Sequence, residues 1–571
     1  MKRIIIKNIV PAAALLLTVG MTSCVKDLEK GNIDPNVEAE VNLDGLYTKC
    51  YAGMIMEGND GAADFSIDDA GKSTLIRNIY NFNELPTDES ICWWSDGGIV
   101  DIGYNLWEPG HATLKFLYYR IMSNITYCNK YIKEGQNGDK TKLAEVRYLR
   151  AYYYYLLMDF FADPPFIDEN TLGTNVDPVQ AHAMNGEDIT DRAAMLTTGR
   201  KNLYTWIMKE LDACEPDMLT AKPEADTESD YGRVDKAAVW FLKSRMLLNS
   251  NIYLGLEDNA NEYRTNLQQV VTLSDQIKGA GFSLCNKTVG NYHPYDLLFM
   301  GDNGSNGANV EAIFSLLQDG KTTYGWGGSL FFIACHWNAN LRTVTGQGAG
   351  TTGNTWAGMR CRPSFVDKFD VRATGTEGKT AAEIREASKD DRALFCGLEE
   401  VVNADGSVTT TPRSSSLGKN SEFAGVACVK WNNNYSTGAN PHDTYNVDTD
   451  FFIFRYAETL LNKAEALLRL GDDAGALTAV NELRKRANAD DFVTINMQMM
   501  LDERAREMYL EGQRRIDLIR FHQFGGQQAT YKWEFKGGVD KGINFDSYRN
   551  VFPIPTSEIE ANSNLTQIYG Y

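Results

Sequence analysis

The apolar residues near both ends of the chain recur every three or four positions, which is the period of an amphipathic helix. Segment 144–166, "AEVRYLRAYYYYLLMDFFADPPF", has this pattern and stops at Pro164 and Pro165, residues that are typical of a helix end. The same pattern runs from Ala237 to Leu248. The sequence therefore predicts a mainly α-helical protein.

Segment 454–488 predicts two amphipathic helices joined at Gly471 and Asp472, with the second starting near Asp473. The small residues Ala464 and Ala466 allow close contact between helices. This arrangement is typical of a tetratricopeptide-like helical repeat. Such pairs stack, because one helix pair cannot bury its apolar face alone. We assign helical repeats to about 46–285 and 450–525.

Between about 285 and 450 the helical pattern gives way to Gly, Asn, Thr and Trp, as in "KTTYGWGGSL" and "TGQGAGTTGNTW". This composition predicts loops and short strands. Binding residues often lie on loops that a rigid scaffold holds in place. We therefore expect a loop-rich ligand-binding face in this region.

The N-terminus has the features of a lipoprotein signal. Lys2, Arg3 and Lys7 precede "IVPAAALLLTVG", which is too short to span a bilayer and has the form of a signal-peptide core. "MTSC" then places small residues before Cys24, so we predict removal of residues 1–23 and a lipidated tether over 24–45. An ordinary secretory signal with an incidental cysteine is the alternative. Residues 46–571 are expected to form one domain.

Charge and composition exclude several classes of protein. The net charge of −20 argues against a nucleic-acid partner, which requires a basic surface. The six histidines form no HExxH pair and the cysteines no CxxC pair, so we predict neither a zinc site nor a cofactor. The nine cysteines that follow Cys24 are interpreted as mostly small buried residues.

The segment "ESICWWSDGG", residues 89–98, places Trp93 and Trp94 together without helical or strand periodicity. A loop folded back on the core is one interpretation. The other is an exposed aromatic platform for a flat ligand. "GAGTTG", residues 348–353, matches GxGxxG but lacks the flanking strand and helix, so it does not predict a nucleotide site.

Three segments carry a resemblance to a known family: "NELPTDE" at 83–89, "LDERAREMYLEGQRRIDLIRF" at 501–521 and "VFPIP" at 551–555. Together they resemble the SusD/RagB family of Bacteroidetes surface glycan-binding lipoproteins, and the likeness is greatest to its starch-binding member. The acidic residues in "CVKDLEKG" are similar to the surface-export signal of such lipoproteins. Residues of the 501–521 segment fall at helical intervals that permit ion pairs with neighbouring helices: Arg504, Glu507, Glu511, Arg514 and Asp517.

The resemblance implies ligand contacts in the first third of the chain. An arginine shortly before "NELPTDE" falls on Arg77. Where the starch-binding member has two tryptophans separated by one residue, this chain has Cys92 and Trp94, and Trp93 is expected to substitute for the lost ring. A polar amide of the family falls on Gly97, with Asp96 as its replacement.

Two further aromatic contacts follow from the same resemblance. After "QDG" at 318–320 the family's ligand-facing tyrosine aligns with Trp326, and a later tryptophan aligns with Trp356. A sugar ring packs its C–H face on an aromatic face, while its hydroxyl groups need a few fixed polar partners. An arc of rings favours a curved chain such as an α-glucan.

The implied function is non-enzymatic capture of a polysaccharide or oligosaccharide, with starch or a related α-glucan favoured. The resemblance also implies lipid anchoring in the outer membrane through Cys24 and a SusC-like TonB-dependent transporter as partner. A SusD-like binder of a different nutrient is one alternative. An all-α glycoside hydrolase is the other, and it would need two carboxylates at a defined separation.

Overall fold

The chain forms a mainly helical scaffold with short strands. The structure, a computed structural model, describes residues 41–57, 69–174, 176–417 and 424–571. The chain divides into two compact units between Leu46 and Tyr47. In the first unit the described residues form the start of one helix, and the remaining elements belong to the second. The predicted signal peptide, Cys24 and most of the predicted tether lie outside the described residues.

The helices are α1 Leu43–Ala52, α2 Leu75–Glu84, α3 Ile99–Gly103, α4 Leu114–Glu134, α5 Lys140–Phe161, α6 Arg192–Cys214, α7 Lys236–Leu248, α8 Ser250–Tyr253, α9 Asn261–Gly279, α10 Pro294–Leu297, α11 Ser329–His336, α12 Pro363–Val366, α13 Ala381–Ser388, α14 Tyr456–Leu470, α15 Asp473–Arg486, α16 Met497–Met508, α17 Arg514–Arg520 and α18 Thr556–Ala561. The strands are β1 Ser90–Cys92, β2 Pro165–Phe166, β3 Val179–Gln180, β4 Ala312–Leu316, β5 Met359–Cys361, β6 Phe395–Cys396, β7 Leu398–Val402, β8 Val408–Pro412, β9 Ala427–Cys428 and β10 Phe451–Arg455.

The strands form antiparallel two-stranded pairs, β1 with β5, β2 with β3, β4 with β10, β6 with β9 and β7 with β8. The long helices pack against one another in pairs: α4 with α5, α5 with α6, α7 with α9, α9 with α14 and α14 with α15. One core cluster joins three of these helices through Leu247, Tyr263, Leu267 and Ala466. The fold class predicted from the sequence, a helical-repeat scaffold, is confirmed.

The predicted helix pair at 454–488 is present. Helix α14 ends at Gly471, which has a φ of 89°, a conformation that glycine adopts without strain. Asp472 then caps α15, because its carboxylate accepts a hydrogen bond from the backbone N–H of Gly475 at 2.9 Å. The turn that the sequence predicts is therefore made by the two residues named for it.

The central region contains more helix than its composition predicts. Strands and loops dominate it, but α11, Ser329–His336, is a helix in which every residue is buried. A helix that is apolar on all sides shows no 3.6-residue period, so the pattern did not reveal it. The expectation of loops and short strands alone was wrong at this segment.

The C-terminal family segment is held by buried ion pairs. The Nε of Arg504 lies 2.9 Å from a carboxylate oxygen of Asp517, and an Nη of Arg455 lies 2.7 Å from Glu507. Nζ of Lys430 lies 2.7 Å from Glu511. The predicted residues do form ion pairs, but Arg455 lies in β10 and Lys430 in a loop, so the partners are not all on neighbouring helices. The segment is not one continuous helix, however, because Leu510 and Gly512 have φ of 57° and 80°, which interrupts it between α16 and α17.

The same segment anchors "NELPTDE". Arg514 donates hydrogen bonds to Asp88 at 2.7 and 2.8 Å. The carboxylate of Glu84 accepts from the backbone N–H of Gln513 at 2.9 Å, and that of Glu89 accepts from Leu510 at 2.9 Å. Two of the three segments that suggested the family therefore bind each other, and β1 begins immediately after "NELPTDE".

The nine cysteines in the described part of the chain are all buried, which confirms their interpretation as small core residues. A search of the described helices for one that is both long enough and apolar enough to cross a membrane finds none.

Candidate functional site

An open cavity of about 590 Å³ brings together five of the six ligand residues that the sequence predicts. Its lining consists of Asp69, Ala70, Arg77, Trp94, Asp96, Trp326 and Trp356. Three indole rings and several charged groups thus converge from segments that are far apart in the chain. Trp93 is not among the lining residues.

The pairing of β1 with β5 brings Trp94 and Trp356 together. Cys92 lies opposite Met359 in the antiparallel register, and the backbone N–H of Trp93 donates to the carbonyl of Gly358 at 2.8 Å. Trp94 follows β1 and Trp356 precedes β5, so the two rings meet at the same end of the strand pair. Their centroids are 6.4 Å apart.

Gly358 makes room for the Trp94 ring. A Cβ atom at this position would lie 2.3 Å from Nε1 of Trp94, and the φ of the glycine is +116°. Both the contact and the backbone conformation exclude a larger residue without rearrangement. The glycine is therefore part of the structure that sets the orientation of Trp94.

Trp326 is the third indole ring of the cavity. Its centroid is 6.1 Å from that of Trp356 at an interplanar angle of 29°, and 38 % of the residue is exposed. Its backbone N–H donates to the carboxylate of Glu57 at 3.2 Å. The preceding turn is fixed by Asp319, whose carboxylate accepts from the backbone N–H of Thr322 and Thr323 at 2.7 and 2.8 Å. The aromatic surface is thus presented by a loop with defined hydrogen bonds.

Burial and hydrogen bonding act in opposite directions on Asp319. Partial burial alone would raise the pKa of its carboxyl group, but the hydrogen bonds from Thr322 and from three backbone N–H groups outweigh that effect and lower the pKa. The carboxylate is therefore ionised over the physiological range, and it holds the turn before Trp326.

Arg77 supplies a fixed cationic group at the wall of the cavity. It belongs to α2, and its guanidinium lies over the ring of Phe331, 4.5 Å from the centroid. Its Nη1 is 3.3 Å from a carboxylate oxygen of Asp69. A guanidinium that is held by Phe331 and Asp69 still has further N–H groups that can donate hydrogen bonds to hydroxyl groups.

Asp96 and Lys72 form a second charged pair beside the rings. The Nζ of Lys72 is 3.0 Å from Oδ1 of Asp96. The predicted replacement for the family's amide therefore lies in the cavity as an ion-paired carboxylate, which accepts hydrogen bonds but does not donate them.

Sequence reasoning missed two lining residues, Asp69 and its neighbour Ala70, and Asp69 is the one with a charged side chain. Its carboxylate accepts from the backbone N–H of Gly71 at 3.0 Å and pairs with Arg77. The only local signal is the Asp-x-Gly sequence, which indicates a turn and carries no information about a ligand. Its place in the site depends on the tertiary contact with Arg77.

Trp93 and Cys92 are not among the lining residues of the cavity. The Trp93 ring is half-buried, and the guanidinium of Arg360 lies 5.2 Å from its centroid. Cys92 is buried in β1, and burial raises the pKa of its thiol to about 12. The structure therefore separates Trp93 from the cavity that holds Trp94. At Cys92, where the resemblance implies a tryptophan of the family, this chain has a buried thiol.

The comparisons with known proteins agree with this fold and sequence. The chain belongs to the SusD family, whose family model matches residues 310–571. It is 33% identical, over 612 aligned residues that cover 100% of both chains, to the starch-binding protein SusD of Bacteroides thetaiotaomicron. The resemblance inferred from the sequence is confirmed.

Solved structures share the fold at lower identity. A SusD-like protein from Bacteroides fragilis superposes with a TM-score of 0.63 at 18% identity, covering 93% of this chain and 96% of the other. Surface glycan-binding protein A from Bacteroides thetaiotaomicron, solved in complex with laminarihexaose, gives a TM-score of 0.61 at 18% identity, covering 92% and 98%. At this identity the likeness establishes the shared architecture.

Proposed function

We propose that the protein binds a polysaccharide or oligosaccharide, with starch or a related α-glucan as the favoured ligand. The observation that carries this proposal is the convergence of Trp94, Trp326 and Trp356 in one open cavity beside Arg77 and Asp96. Aromatic faces match the C–H faces of sugars, and the charged groups match their hydroxyl groups. The 33% identity to the starch-binding protein SusD supports the choice of an α-glucan.

A second ligand class has its own support. Surface glycan-binding protein A, which has the same architecture, was solved with laminarihexaose, which is not an α-glucan. The family resemblance implies that Trp326 stands where the starch-binding pattern has a tyrosine, and Cys92 where it has its first tryptophan. A SusD-like binder of a different glycan is therefore the alternative to test.

The test measures binding of the soluble protein, without residues 1–24, by calorimetry and by retardation in polysaccharide gels. Maltoheptaose and soluble starch represent α-glucans, and laminarihexaose and cellohexaose represent other glucans. We expect starch and maltoheptaose to bind, and the Trp356→Ala variant to bind them more weakly. Binding only to laminarihexaose would support the alternative, and binding to none of the four probes would contradict the proposal.

We propose that the protein binds its glycan without acting as an enzyme. Asp69 and Asp96 are the carboxylates of the cavity, and they pair with Arg77 and Lys72 respectively. A glycoside hydrolase needs two carboxyl groups held at a defined separation across the scissile bond, whereas each carboxylate of this cavity is engaged with a cationic side chain. Incubation with soluble starch should release no reducing ends, and their release would favour the hydrolase.

We also propose the location and partner that the family resemblance implies. Residues 1–23 act as a signal peptide, Cys24 carries the lipid, 24–45 form the tether and 46–571 the binding domain. The protein is then anchored in the outer membrane facing the exterior and delivers its glycan to a SusC-like TonB-dependent transporter. Co-purification of such a transporter from mildly solubilised outer membrane is the test, and failure to recover one would contradict this part of the proposal.

A further inference from the structure

A fourth aromatic ring continues the row beyond the cavity. The ring of Tyr445 lies 5.6 Å from that of Trp326, at an interplanar angle of 90°, and 47% of the residue is exposed. It is not a lining residue of the cavity, and it is contributed by the separate segment that precedes β10. The rings therefore follow one another in the order Trp94, Trp356, Trp326 and Tyr445.

The backbone of Tyr445 is tied to the aromatic site. Asn354, which is buried, donates from Nδ2 to the carbonyl of Tyr445 at 2.5 Å. The Oδ1 of the same amide accepts from Nε1 of Trp356 at 3.3 Å. One side chain thus connects the second ring of the row with the fourth.

Two more hydrogen bonds fix the loop. The backbone N–H of Tyr445 donates to the carboxylate of Asp443 at 2.7 Å. The backbone N–H of Thr352 donates to the carbonyl of Thr444 at 2.6 Å. An exposed tyrosine on a loop held in this way keeps its position before a ligand arrives, which lowers the entropy cost of binding.

The four rings do not share a plane. Successive interplanar angles are 50°, 29° and 90°. A straight, flat chain cannot lie against all four faces at once, whereas a chain that turns as it passes Trp326 can do so. Because Tyr445 is not among the lining residues of the cavity, an oligosaccharide confined to the cavity does not need its ring.

We propose that Tyr445 is a fourth sugar platform, which makes the site selective for oligosaccharides long enough to extend from the cavity past Trp326. The inference rests on the proposed function, because it names the class of glycan that the same site prefers. It assigns Tyr445 a role in selecting chain length, separate from the contacts within the cavity.

The experiment compares the affinities of maltotriose and maltoheptaose, and of laminaritriose and laminarihexaose, for the wild-type protein and for Tyr445→Ala. We expect the variant to bind the longer sugar of the recognised series about 3- to 10-fold more weakly, a smaller loss than for a tryptophan of the cavity because tyrosine has the smaller ring. Its affinity for the trisaccharide should stay within about twofold of wild type.

Two controls accompany this comparison. Tyr445→Phe retains the ring and should bind the longer sugar like the wild type. Tyr569→Ala removes a tyrosine of similar exposure, 53%, near the C-terminus, and should change neither affinity. Near-identical melting temperatures of the variants would show that the fold is intact.

The outcomes separate the two proposals. If Tyr445→Ala lowers the affinity for short and long sugars equally, or for neither, while the wild-type protein binds glycans, the role of Tyr445 is overturned. The proposed function then still stands. A wild-type protein that binds none of these sugars would overturn both.

Discussion

The guanidinium of Arg514 donates two hydrogen bonds to the carboxylate of Asp88, at 2.7 and 2.8 Å, although 426 positions separate the residues in the chain. Both side chains are buried. Asp88 lies two residues before β1, whose end places Trp94 in the cavity. The ion pair thus connects the C-terminal segment of the family with the strand that supports the binding site.

Breaking this pair should strongly destabilise the protein. Arg514→Ala leaves the Asp88 carboxylate buried with its bidentate partner removed, and loss of one partner of a buried pair typically costs about 3–5 kcal/mol. Urea denaturation measures the free energy of unfolding. Lys130→Ala is the matched control, because Lys130 pairs with Glu134 at an exposed site and should cost less than about 1 kcal/mol. Similar losses for the two variants would contradict the structural role of Arg514.

The contribution of Asp88 to stability should depend on pH. Burial alone would raise the pKa of Asp88, but the charges of Arg514 and Lys368 outweigh it and hold the pKa below its usual range. Since the folded-state pKa lies below the unfolded value of about 3.9, the stabilisation is present above that value and is lost as the pH falls through the folded pKa.

The measurement compares wild type with Asp88→Asn by urea denaturation at several pH values. The difference in unfolding free energy should be constant above about pH 5 and should shrink as the pH falls below about 4. A difference that stays the same down to the lowest pH at which both variants fold would show that ionisation of Asp88 does not stabilise the protein.

The fold was predictable from the sequence where a periodic pattern of apolar residues and helix-end residues mark an element. The helix pair α14 and α15 combines a 3.6-residue period with Gly471 and Asp472 at its turn, so its existence and the position of the turn followed from the sequence. The outer boundaries did not, because Phe454 and Arg455 belong to β10. Helix α11 has no such period because all its residues are buried. The pairing of β1 with β5 depends on contacts between distant short segments, and three-residue strands carry too little pattern to reveal their partner.

The association of the protein with the membrane should depend on Cys24. Replacing it by Ala is expected to release the protein from the membrane fraction, because the lipid is the proposed anchor and none of the described helices is long and apolar enough to replace it. The fractionation is done in a strain that lacks the SusC-like transporter, so that binding to this partner cannot hold the protein in the membrane fraction. Cys50→Ala is the control, since this cysteine is buried and should not affect anchoring. Full membrane retention of the Cys24 variant would contradict the lipoprotein assignment.

Trp326 should contribute to binding much more than to stability. Its ring is partly exposed on a loop whose hydrogen bonds are made by the backbone, so Trp326→Ala should weaken polysaccharide binding by about 1–3 kcal/mol while the unfolding free energy changes by less than about 1 kcal/mol. Calorimetry and urea denaturation measure the two quantities on the same preparation.

The matched control for this pair of measurements is a buried tryptophan. Trp337 is fully buried, and its Nε1 donates to the carbonyl of Trp431 at 2.7 Å. Trp337→Ala should therefore cost about 3–5 kcal/mol of stability. A large stability loss with unchanged affinity for Trp326→Ala would mean that its ring belongs to the core rather than to the site.

The candidate site was predictable only as far as the family resemblance reached. The resemblance named Arg77, Trp94, Asp96, Trp326 and Trp356, which the structure gathers in one cavity. It did not name Asp69, whose role comes from its contact with Arg77, or Tyr445, which joins the row through Trp326. It also grouped Trp93 with Trp94, whereas the structure places the Trp93 ring against Arg360. These features depend on tertiary packing that neither motif nor spacing records.

Gly358 should be required for the orientation of Trp94, and Gly358→Ala tests this directly. The new methyl group would lie 2.3 Å from Nε1 of Trp94, and φ of +116° is unfavourable for alanine, so the ring and the loop must both shift. We expect glycan affinity to fall by about 1–3 kcal/mol, comparable with the loss of one aromatic contact. Gly348→Ala in the same loop is the control, because a Cβ there meets nothing within 4 Å. Equal affinities for the two variants, with both folded, would show that the position of Trp94 does not determine binding.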